Sequence, residues 1–333
     1  MIESETLYPS DKKSFWKMVR WTVVAAVFVF LGRMVWNSWD QVKDAPFAVR
    51  LLPFVLSILI FAFSYLFQIW AWYHITVKLR IAVSFQETLE NWFFSQWGKY
   101  LPGKVWMFLG RFHLYAAKGK SKREISVALF FETVTGLVAA GLISFAALVV
   151  SGGEPFHSGI PLGWVILSLA VALIFLHPWI LQKILNWFLV RLNKEAISLS
   201  VSYPDMVWVL CLCILGWLIG GFGFYLFIHS VFPVSSQHIP FLTGALAFST
   251  TLGLIALFAP SGLGVREGIL VYLLSYLMPG GVAVILSVLT RIWGTLIEIG
   301  LTGVVYLWGQ LRRGLKKRGR YAGRSEDQEK GKE

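Results

Sequence analysis

Two stretches rich in glycine and proline interrupt apolar sequence that otherwise suits a lipid bilayer, one in each half of the chain. The first runs from Trp97 to Trp106 and the second from Phe258 to Gly268, and both contain basic residues. Backbone that leaves a helix at bilayer depth must be buried in protein or line a wet cavity, because hydrocarbon offers it no hydrogen bonds. Paired interruptions in two halves of a membrane protein indicate a transport site. The residues expected to break the helices are Pro102, Gly103, Pro260, Gly262 and Gly264.

The composition is that of an integral membrane protein. Hydrophobic residues make up 56% of the chain and charged residues 14%, against roughly 25% charged residues in soluble domains. Most basic residues behind the net charge of +12 lie at the ends of apolar runs and in the tail. This placement favours anionic lipid headgroups over nucleic acid as a partner. Cys211 and Cys213 lie within an apolar run, so we expect packing thiols rather than a disulfide or a metal site.

The apolar runs predict an all-α, polytopic helix bundle with about eight membrane segments. A helix needs roughly 20 apolar residues to cross the hydrocarbon. The segment 264–278 is shorter, and we expect it to rise from the cytoplasmic side and to turn at residues 278–281. The seven predicted spans are residues 16–37, 51–73, 124–150, 162–181, 206–231, 241–259 and 282–309.

Basic residues are concentrated on one side of this predicted bundle. They occupy the N-terminal leader, the segment 78–123, the loop 182–205 and the tail, whereas residues 151–160 and 232–240 contain none. The positive-inside rule then places both termini in the cytoplasm. The predicted organisation is a cytoplasmic leader at 1–15, a single transmembrane domain at 16–309, and a basic, disordered cytoplasmic tail at 310–333.

The segment 84–117 is too charged for a simple span and too aromatic for a loop in water. Phe85, Leu89 and Trp92 recur at helical spacing before the first interruption, and an apolar run follows it. Two short helices joined at a Pro-Gly turn predict a re-entrant hairpin, and an amphipathic pair lying flat on the inner leaflet is the alternative. A second re-entrant region is expected near 260–281.

Three basic residues of the first region, Lys104, Arg111 and Lys118, are spaced by seven. This spacing places them on one face of a helix. For Lys118, a stripe facing solvent or headgroups explains the charge. Lys104 and Arg111 flank an apolar run beside a helix break, where backbone donors at a helix N-terminus would add to anion binding.

Charged residues within predicted spans complete the candidate site. A charge at mid-bilayer costs around 2.5–3.5 kcal/mol on insertion scales, so Glu132, Arg291 and Glu298 are expected to face protein or water. Arg266 and Glu267 are adjacent and point in different directions, so they cannot easily pair with each other. Each is expected to pair with a residue of the last long helix, such as Glu267 with Arg291 or Arg266 with Glu298. Glu132 is expected to pair with a re-entrant lysine. These charged residues predict ion pairs that hold the helices of the bundle together, a cavity for a charged lipid headgroup, or both. The candidate substrate-binding residues are Lys99, Lys104, Arg111, Glu132, Arg266, Glu267, Arg291 and Glu298, and no cofactor or metal is expected.

The two halves also share a spacing. Pro102 and Gly136 are 34 residues apart, as are Pro260 and Gly294, and basic residues follow each proline. The spacing predicts a two-fold internal repeat, as in two-lobed transporters that hold their site between the lobes.

The two interruptions resemble the paired signatures of the lysylphosphatidylglycerol synthase transmembrane family, also called flippase-like. The resemblance rests on residues 98–106, Gly-Lys-Tyr-Leu-Pro-Gly-Lys-Val-Trp, and 260–267, Pro-Ser-Gly-Leu-Gly-Val-Arg-Glu, and it covers roughly residues 15–310. It implies a bacterial or archaeal plasma-membrane protein that moves an aminoacyl-phospholipid or a lipid-linked sugar between leaflets. It also implies envelope-biosynthesis enzymes as partners. The family's best-known members add a soluble synthase domain, which is not expected here.

The resemblance also assigns individual residues. In the family's pattern an arginine follows the acidic residue that matches Glu132, and here Thr133 follows it. An ion network built on that arginine is therefore not expected. By the resemblance, Lys99, Pro102, Gly103 and Lys104 belong to the first broken segment, Gly262, Gly264, Arg266 and Glu267 to the second, and Arg291 to the charged position of the last long helix.

Enzymatic motifs are missing from the sequence. It contains no His-Glu-x-x-His, no Gly-x-Ser-x-Gly and no P-loop. The enzymatic alternative is a polyprenyl-linked glycosyltransferase, in which Asp40 and Asp44 of the first outer loop would be catalytic. A third alternative is a non-transporting accessory subunit of envelope glycan assembly. The sequence thus predicts a non-enzymatic lipid flippase-like transporter.

Overall fold

The computed structural model describes residues 47–81, 83–100, 105–151, 163–191, 201–256 and 262–330, together with a few isolated positions. Within these ranges the chain forms helices and short 3-10 turns and contains no strand, which confirms the all-α prediction. The helices are α1 (Leu51–Lys78), α2 (Phe85–Gln96), α3 (Val105–Ala116), α4 (Lys122–Val150), α5 (Gly163–Phe175), α6 (Pro178–Arg191), α7 (Tyr203–Val231), α8 (Ile239–Ile255), α9 (Val265–Leu274) and α10 (Gly280–Lys330).

Five helices of the described ranges are long and apolar enough to cross a membrane. They are α1, α4, α7, α8 and the part of α10 up to Arg313, and the bent pair α5–α6 would make a sixth span. Five of the predicted spans correspond to these helices. The predicted span 16–37 and the aspartates Asp40 and Asp44 lie outside the described residues. The structure thus supports five or six spans, and the eighth segment and the internal repeat stay predictions.

Two segments differ from the prediction. The predicted span 162–181 is interrupted, because α5 ends at Phe175 and α6 turns away from it by 61°. Pro178 begins α6, and a proline lacks the N–H that would continue the preceding helix. At the other end, α10 continues through Lys330, where the sequence predicts a disordered tail. This stretch is rich in lysine, arginine, glutamate and glutamine, which have high helix propensity.

Glycines of α7 bring its backbone close to α1. A Cβ on Gly220 would lie 3.2 Å from the hydroxyl of Ser64, and one on Gly223 would lie 3.0 Å from the backbone nitrogen of Phe61. Small residues allow such close approach between membrane helices. The α1–α7 pair is therefore closely packed.

Ion pairs fix one end of the bundle, which we call the basic end. The Asp205 carboxylate at the start of α7 lies 2.9 Å from Lys78 at the end of α1, and Asp205 also accepts from the backbone of its N-cap, Ser202. At the same end, Arg313 of α10 donates to Glu90 of α2 at 2.8 Å. These contacts align the ends of α1, α2, α7 and α10.

Helices α2 and α3 pack against each other and reach the middle of the bundle. Ser84 and Glu87 form a capping box that starts α2 near the basic end. The 3-10 turn after α2 carries Lys99, which contacts Glu298 of α10. Glu298 precedes Arg313 by fifteen residues, or about 22 Å of helix. The tip of the pair therefore lies deep within the bundle, and its re-entrant placement in a membrane stays a prediction.

The second interruption separates α8 from α9. Gly262 and Gly264 have φ angles of +69° and +85°, values that favour glycine, so both residues break the helix as predicted. Gly262 packs against the backbone of Gly253 at the end of α8, where a Cβ would come within 2.7 Å of the Gly253 carbonyl oxygen. Pro102, Gly103 and Pro260, the other predicted helix breakers, lie outside the described residues.

Candidate functional site

A cavity of about 320 Å³ lies in the middle of the bundle, where both interruptions meet α10. We call it the central chamber. Its walls are largely apolar and aromatic, with side chains from α1, α2, α3, α4, α7, α8, α9 and α10. Six of the eight predicted site residues line it, namely Lys99, Arg111, Glu132, Arg266, Arg291 and Glu298. Of the other two, Glu267 lies directly behind Arg291, and Lys104 is not among the described residues.

The first ion pair of the chamber connects the α2–α3 tip to α10. The ammonium of Lys99 lies 2.5 Å from the Glu298 carboxylate, and the hydroxyl of Tyr65 on α1 donates to the same carboxylate at 2.6 Å. The sequence analysis suggests Arg266 as the partner of Glu298, and the structure corrects this. The correct partner comes from the other half of the chain, so spacing along α9 and α10 could not indicate it.

The second ion pair connects α3 to α4. Arg111 donates to Glu132 at 2.5 Å and to the hydroxyl of Ser95 at 3.1 Å. Its guanidinium lies 4.7 Å from the centre of the Trp72 ring and 5.7 Å from that of Trp92. Glu132 thus pairs with Arg111 of α3 rather than with the predicted lysine. Arg111 is a buried cation held by a carboxylate and two aromatic faces.

The predicted stripe of three basic residues is divided in the structure. Arg111 is 2% exposed, whereas Lys118 lies beyond the end of α3 and pairs at 3.4 Å with Glu87. α3 ends at Ala116, so the helical spacing does not extend to Lys118. Arg111 and Lys118 therefore have separate environments.

The third ion pair closes the start of α9. One oxygen of Glu267 accepts from the backbone N–H of Gly264 at 2.7 Å, which caps the helix. Its other oxygen accepts from Arg291 of α10, the pairing that the sequence predicts. Glu267 is only 4% exposed, so its charge depends on these two donors. The second interruption is thereby held to α10, as the first is held by Lys99.

Arg266 differs from the other three cations of the chamber. Within the described part of the chain it makes no hydrogen bond and no ion pair, although it lines the cavity. Its backbone is fixed against α8, because a Cβ on Gly253 would lie 2.9 Å from the Arg266 Cβ. The four cations face three carboxylates, all three of which are paired. One positive charge in excess is therefore directed at the chamber.

The chamber also has a polar and aromatic wall on α1 and α7 that is not predicted from the sequence. Ser64, Tyr65, Gln68 and Trp217 all line the cavity. A signal was available for part of this wall, since Ser64 and Gln68 are polar residues four apart within an apolar run. Trp92 was noted only for its helical spacing. It also lines the chamber, and its buried indole N–H has no hydrogen-bond partner in the described residues.

Metal ligands are not assembled in the described ranges, where no group of three His, Cys, Asp or Glu side chains could hold an ion. Cys211 and Cys213 are free thiols. Cys211 is exposed on α7, and Cys213 is buried at the chamber wall.

The comparison with protein families matches the sequence with the lysylphosphatidylglycerol synthase TM region over residues 18–299. The chain belongs to this family. The matched range agrees with the roughly 15–310 over which the sequence shows its resemblance, and it includes both interruptions and the whole central chamber. No curated protein matches the chain. Family membership and the five or six spans together identify a multi-pass membrane domain concerned with lipids of the cell envelope.

Proposed function

We propose that this protein is a lipid flippase-like transporter that moves a phosphate-bearing headgroup between leaflets. The substrate would be an aminoacyl-phospholipid or a lipid-linked sugar, in the plasma membrane of a bacterium or an archaeon. The family and the membrane helices support a lipid-related role. The basic end would face the cytoplasm, as the positive-inside rule requires.

The observation that carries the proposal is the free guanidinium of Arg266 in a chamber at mid-height of the bundle. Arginine is suited to phosphate, because its planar fork can donate two parallel hydrogen bonds to the oxygens. A site of low dielectric strengthens this attraction over its value in water. A buried cation at bilayer depth is costly without an anionic partner. A phosphate headgroup would supply that partner.

The proposed path concerns the headgroup alone. The acyl or prenyl chains would stay in the bilayer, beside the apolar surfaces that the long helices expose. Leu59, Phe63 and Trp70 of α1, for example, are 50–59% exposed. Both interruptions are held to α10 by ion pairs, Lys99–Glu298 and Arg291–Glu267. A phosphate that competes for Lys99 or Arg291 would weaken these ion pairs. Binding of the headgroup and movement of the two interrupted segments would therefore be coupled.

The experiment is lipid exchange in reconstituted vesicles. Purified protein in proteoliposomes would be tested with fluorescent phospholipids and a membrane-impermeant quencher, which measures the fraction of probe in each leaflet. We expect exchange with the native protein and a loss of at least tenfold in Arg266→Gln. Arg191→Gln is the matched control, because Arg191 is an exposed arginine at the end of α6, away from the chamber.

Two outcomes would contradict the proposal. Folded protein that exchanges no candidate lipid would favour an accessory subunit of envelope glycan assembly. Wild-type exchange in Arg266→Gln would remove Arg266 from the site. The glycosyltransferase alternative has its own test, since Asp40→Asn with Asp44→Asn would abolish that activity and would leave lipid exchange unchanged.

A further inference from the structure

We propose that the central chamber selects headgroups of net negative charge, namely a phosphodiester that carries an uncharged polyol or a single sugar. Headgroups of net positive charge, such as a lysyl ester with two ammonium groups, would be disfavoured. This inference rests on the proposed function and narrows its substrate class. It follows from the charges, the hydrogen-bonding groups and the size of the chamber.

All three carboxylates of the chamber are already engaged. Glu298 accepts from Lys99 and Tyr65, Glu132 accepts from Arg111, and Glu267 accepts from Arg291 and caps α9. An ammonium group entering the chamber would have to share one of these carboxylates with the cation already bound to it. It would also add to the positive charge of Arg266. An anion would not compete for these carboxylates, and it would be attracted by Arg266.

Apart from Glu267, which is already engaged, the two interruptions add no negative charge. Residues 101–104 and 257–261 contain one lysine, Lys104, and no aspartate or glutamate. Other described carboxylates, such as Glu87, Glu90 and Asp205, are held by Lys118, Arg313 and Lys78 at the basic end. Among the described residues, every carboxylate that lines the chamber is therefore already in an ion pair.

The charged group of the chamber that is not in an ion pair is a hydrogen-bond donor. The Arg266 guanidinium lines the cavity and donates to no side chain of the described residues. A phosphate oxygen or a hydroxyl can accept from a guanidinium, whereas an ammonium group can only donate. The neutral amides of Gln68 and Gln96 also line the chamber, and they can donate or accept, so they favour neither class.

The size of the chamber limits the headgroup. Its volume of about 320 Å³ is near the lower end for small-molecule sites and equals the share of about ten water molecules at about 30 Å³ each. This is room for a phosphate with one substituent the size of glycerol or a sugar. A lipid-linked oligosaccharide would extend beyond this volume. The aromatic rings of Trp92 and Trp217 give such a substituent apolar faces to lie against.

The test compares four acyl-labelled or prenyl-labelled probes in one proteoliposome preparation. They are phosphatidylglycerol, a prenyl phosphate monosaccharide, phosphatidylcholine and lysylphosphatidylglycerol. We expect at least one of the two anionic probes to exchange at least tenfold faster than the lysyl lipid. Phosphatidylglycerol and the prenyl phosphate monosaccharide carry the same phosphodiester group. Comparing their exchange rates shows which of these two lipid classes the protein moves.

The second part of the test reverses the charge at position 266. Arg266→Glu should abolish or invert the preference, and Arg191→Glu, outside the chamber, should keep it. If Arg266→Glu fails to fold, Arg266→Gln should still reduce the ratio of anionic to cationic exchange by about tenfold. A lysyl lipid that exchanges as fast as both anionic probes would overturn this inference and leave the proposed function standing. No exchange of any probe would overturn both.

Discussion

Replacing Arg111 by methionine should weaken the attachment of the α2–α3 pair to the bundle. The Arg111 side chain is 3% exposed and lies 2.5 Å from Glu132. It also donates to Ser95 and packs over Trp72. Methionine would retain much of the packing volume and would remove the charge. Glu132 would then be left in the chamber wall without its cation.

The expected loss follows from these contacts. Breaking a buried ion pair by removing one partner costs about 3–5 kcal/mol. Glu132 keeps 21% of its side chain exposed, so solvent relieves part of its charge and the lower end of that range applies. The lost cation–π contact with Trp72 adds about 0.5–1 kcal/mol. We expect Arg111→Met to lower the free energy of unfolding by about 3–4 kcal/mol.

The double variant Arg111→Met with Glu132→Met separates the ion pair from packing. Replacing both buried charges by apolar groups is often neutral, so we expect it to recover to within about 1 kcal/mol of the native protein. Unfolding would be followed by tryptophan fluorescence and circular dichroism as dodecyl sulfate is added to protein in mild detergent. The same cycle at the exposed pair Lys118–Glu87, 3.4 Å apart, should show a coupling below about 1 kcal/mol. Additive effects of the two changes at Arg111 and Glu132 would refute the reasoning.

Two further changes test the helix breaks and the start of the α2–α3 pair. Gly262→Ala should destabilise the protein by more than about 1 kcal/mol, because φ is +69° and the Cβ would meet Gly253. Gly268→Ala in α9 is the control, since its Cβ would meet open space; equal losses of thermal stability in the two variants would contradict the argument. Ser84→Ala should cost about 1 kcal/mol, since it removes the acceptor for the Glu87 N–H at the start of α2. Ser84→Asp should retain the cap, and detergent unfolding of the two variants measures the difference.

The sequence predicts the architecture well where hydrophobic length decides it. The runs at 51–73, 206–231 and 282–309 each correspond to a long helix of the structure. The bend between α5 and α6 was missed because Pro178 lies inside an apolar run that is long enough to read as one span. Composition cannot distinguish a broken span from a straight one of the same length.

The sequence predicts which residues belong to the candidate site better than it predicts how they pair with one another. Charged residues within apolar sequence must face protein or water, which indicates Glu132, Arg291 and Glu298. The two interruptions and the family resemblance indicate Lys99, Arg111 and Arg266, and all six residues line the chamber. Which cation meets which carboxylate depends on the rotation and tilt of helices far apart in sequence. Lys99 and Glu298 are 199 residues apart, so no local spacing relates them. Glu267 and Arg291, on consecutive helices, are the pair that spacing could suggest.

The close contact between α1 and α7 bears on which parts of the bundle would rearrange in the proposed transport. A Cβ on Gly223 would lie 3.0 Å from the backbone of α1, and one on Gly220 would lie 3.2 Å from the Ser64 hydroxyl, so these two helices have little room to approach further. We expect them to move together. Access to the chamber from alternate sides would then come from other segments, such as α2–α3 and α9. Most of the side chains that pair those segments with α10 also line the chamber where the substrate would bind.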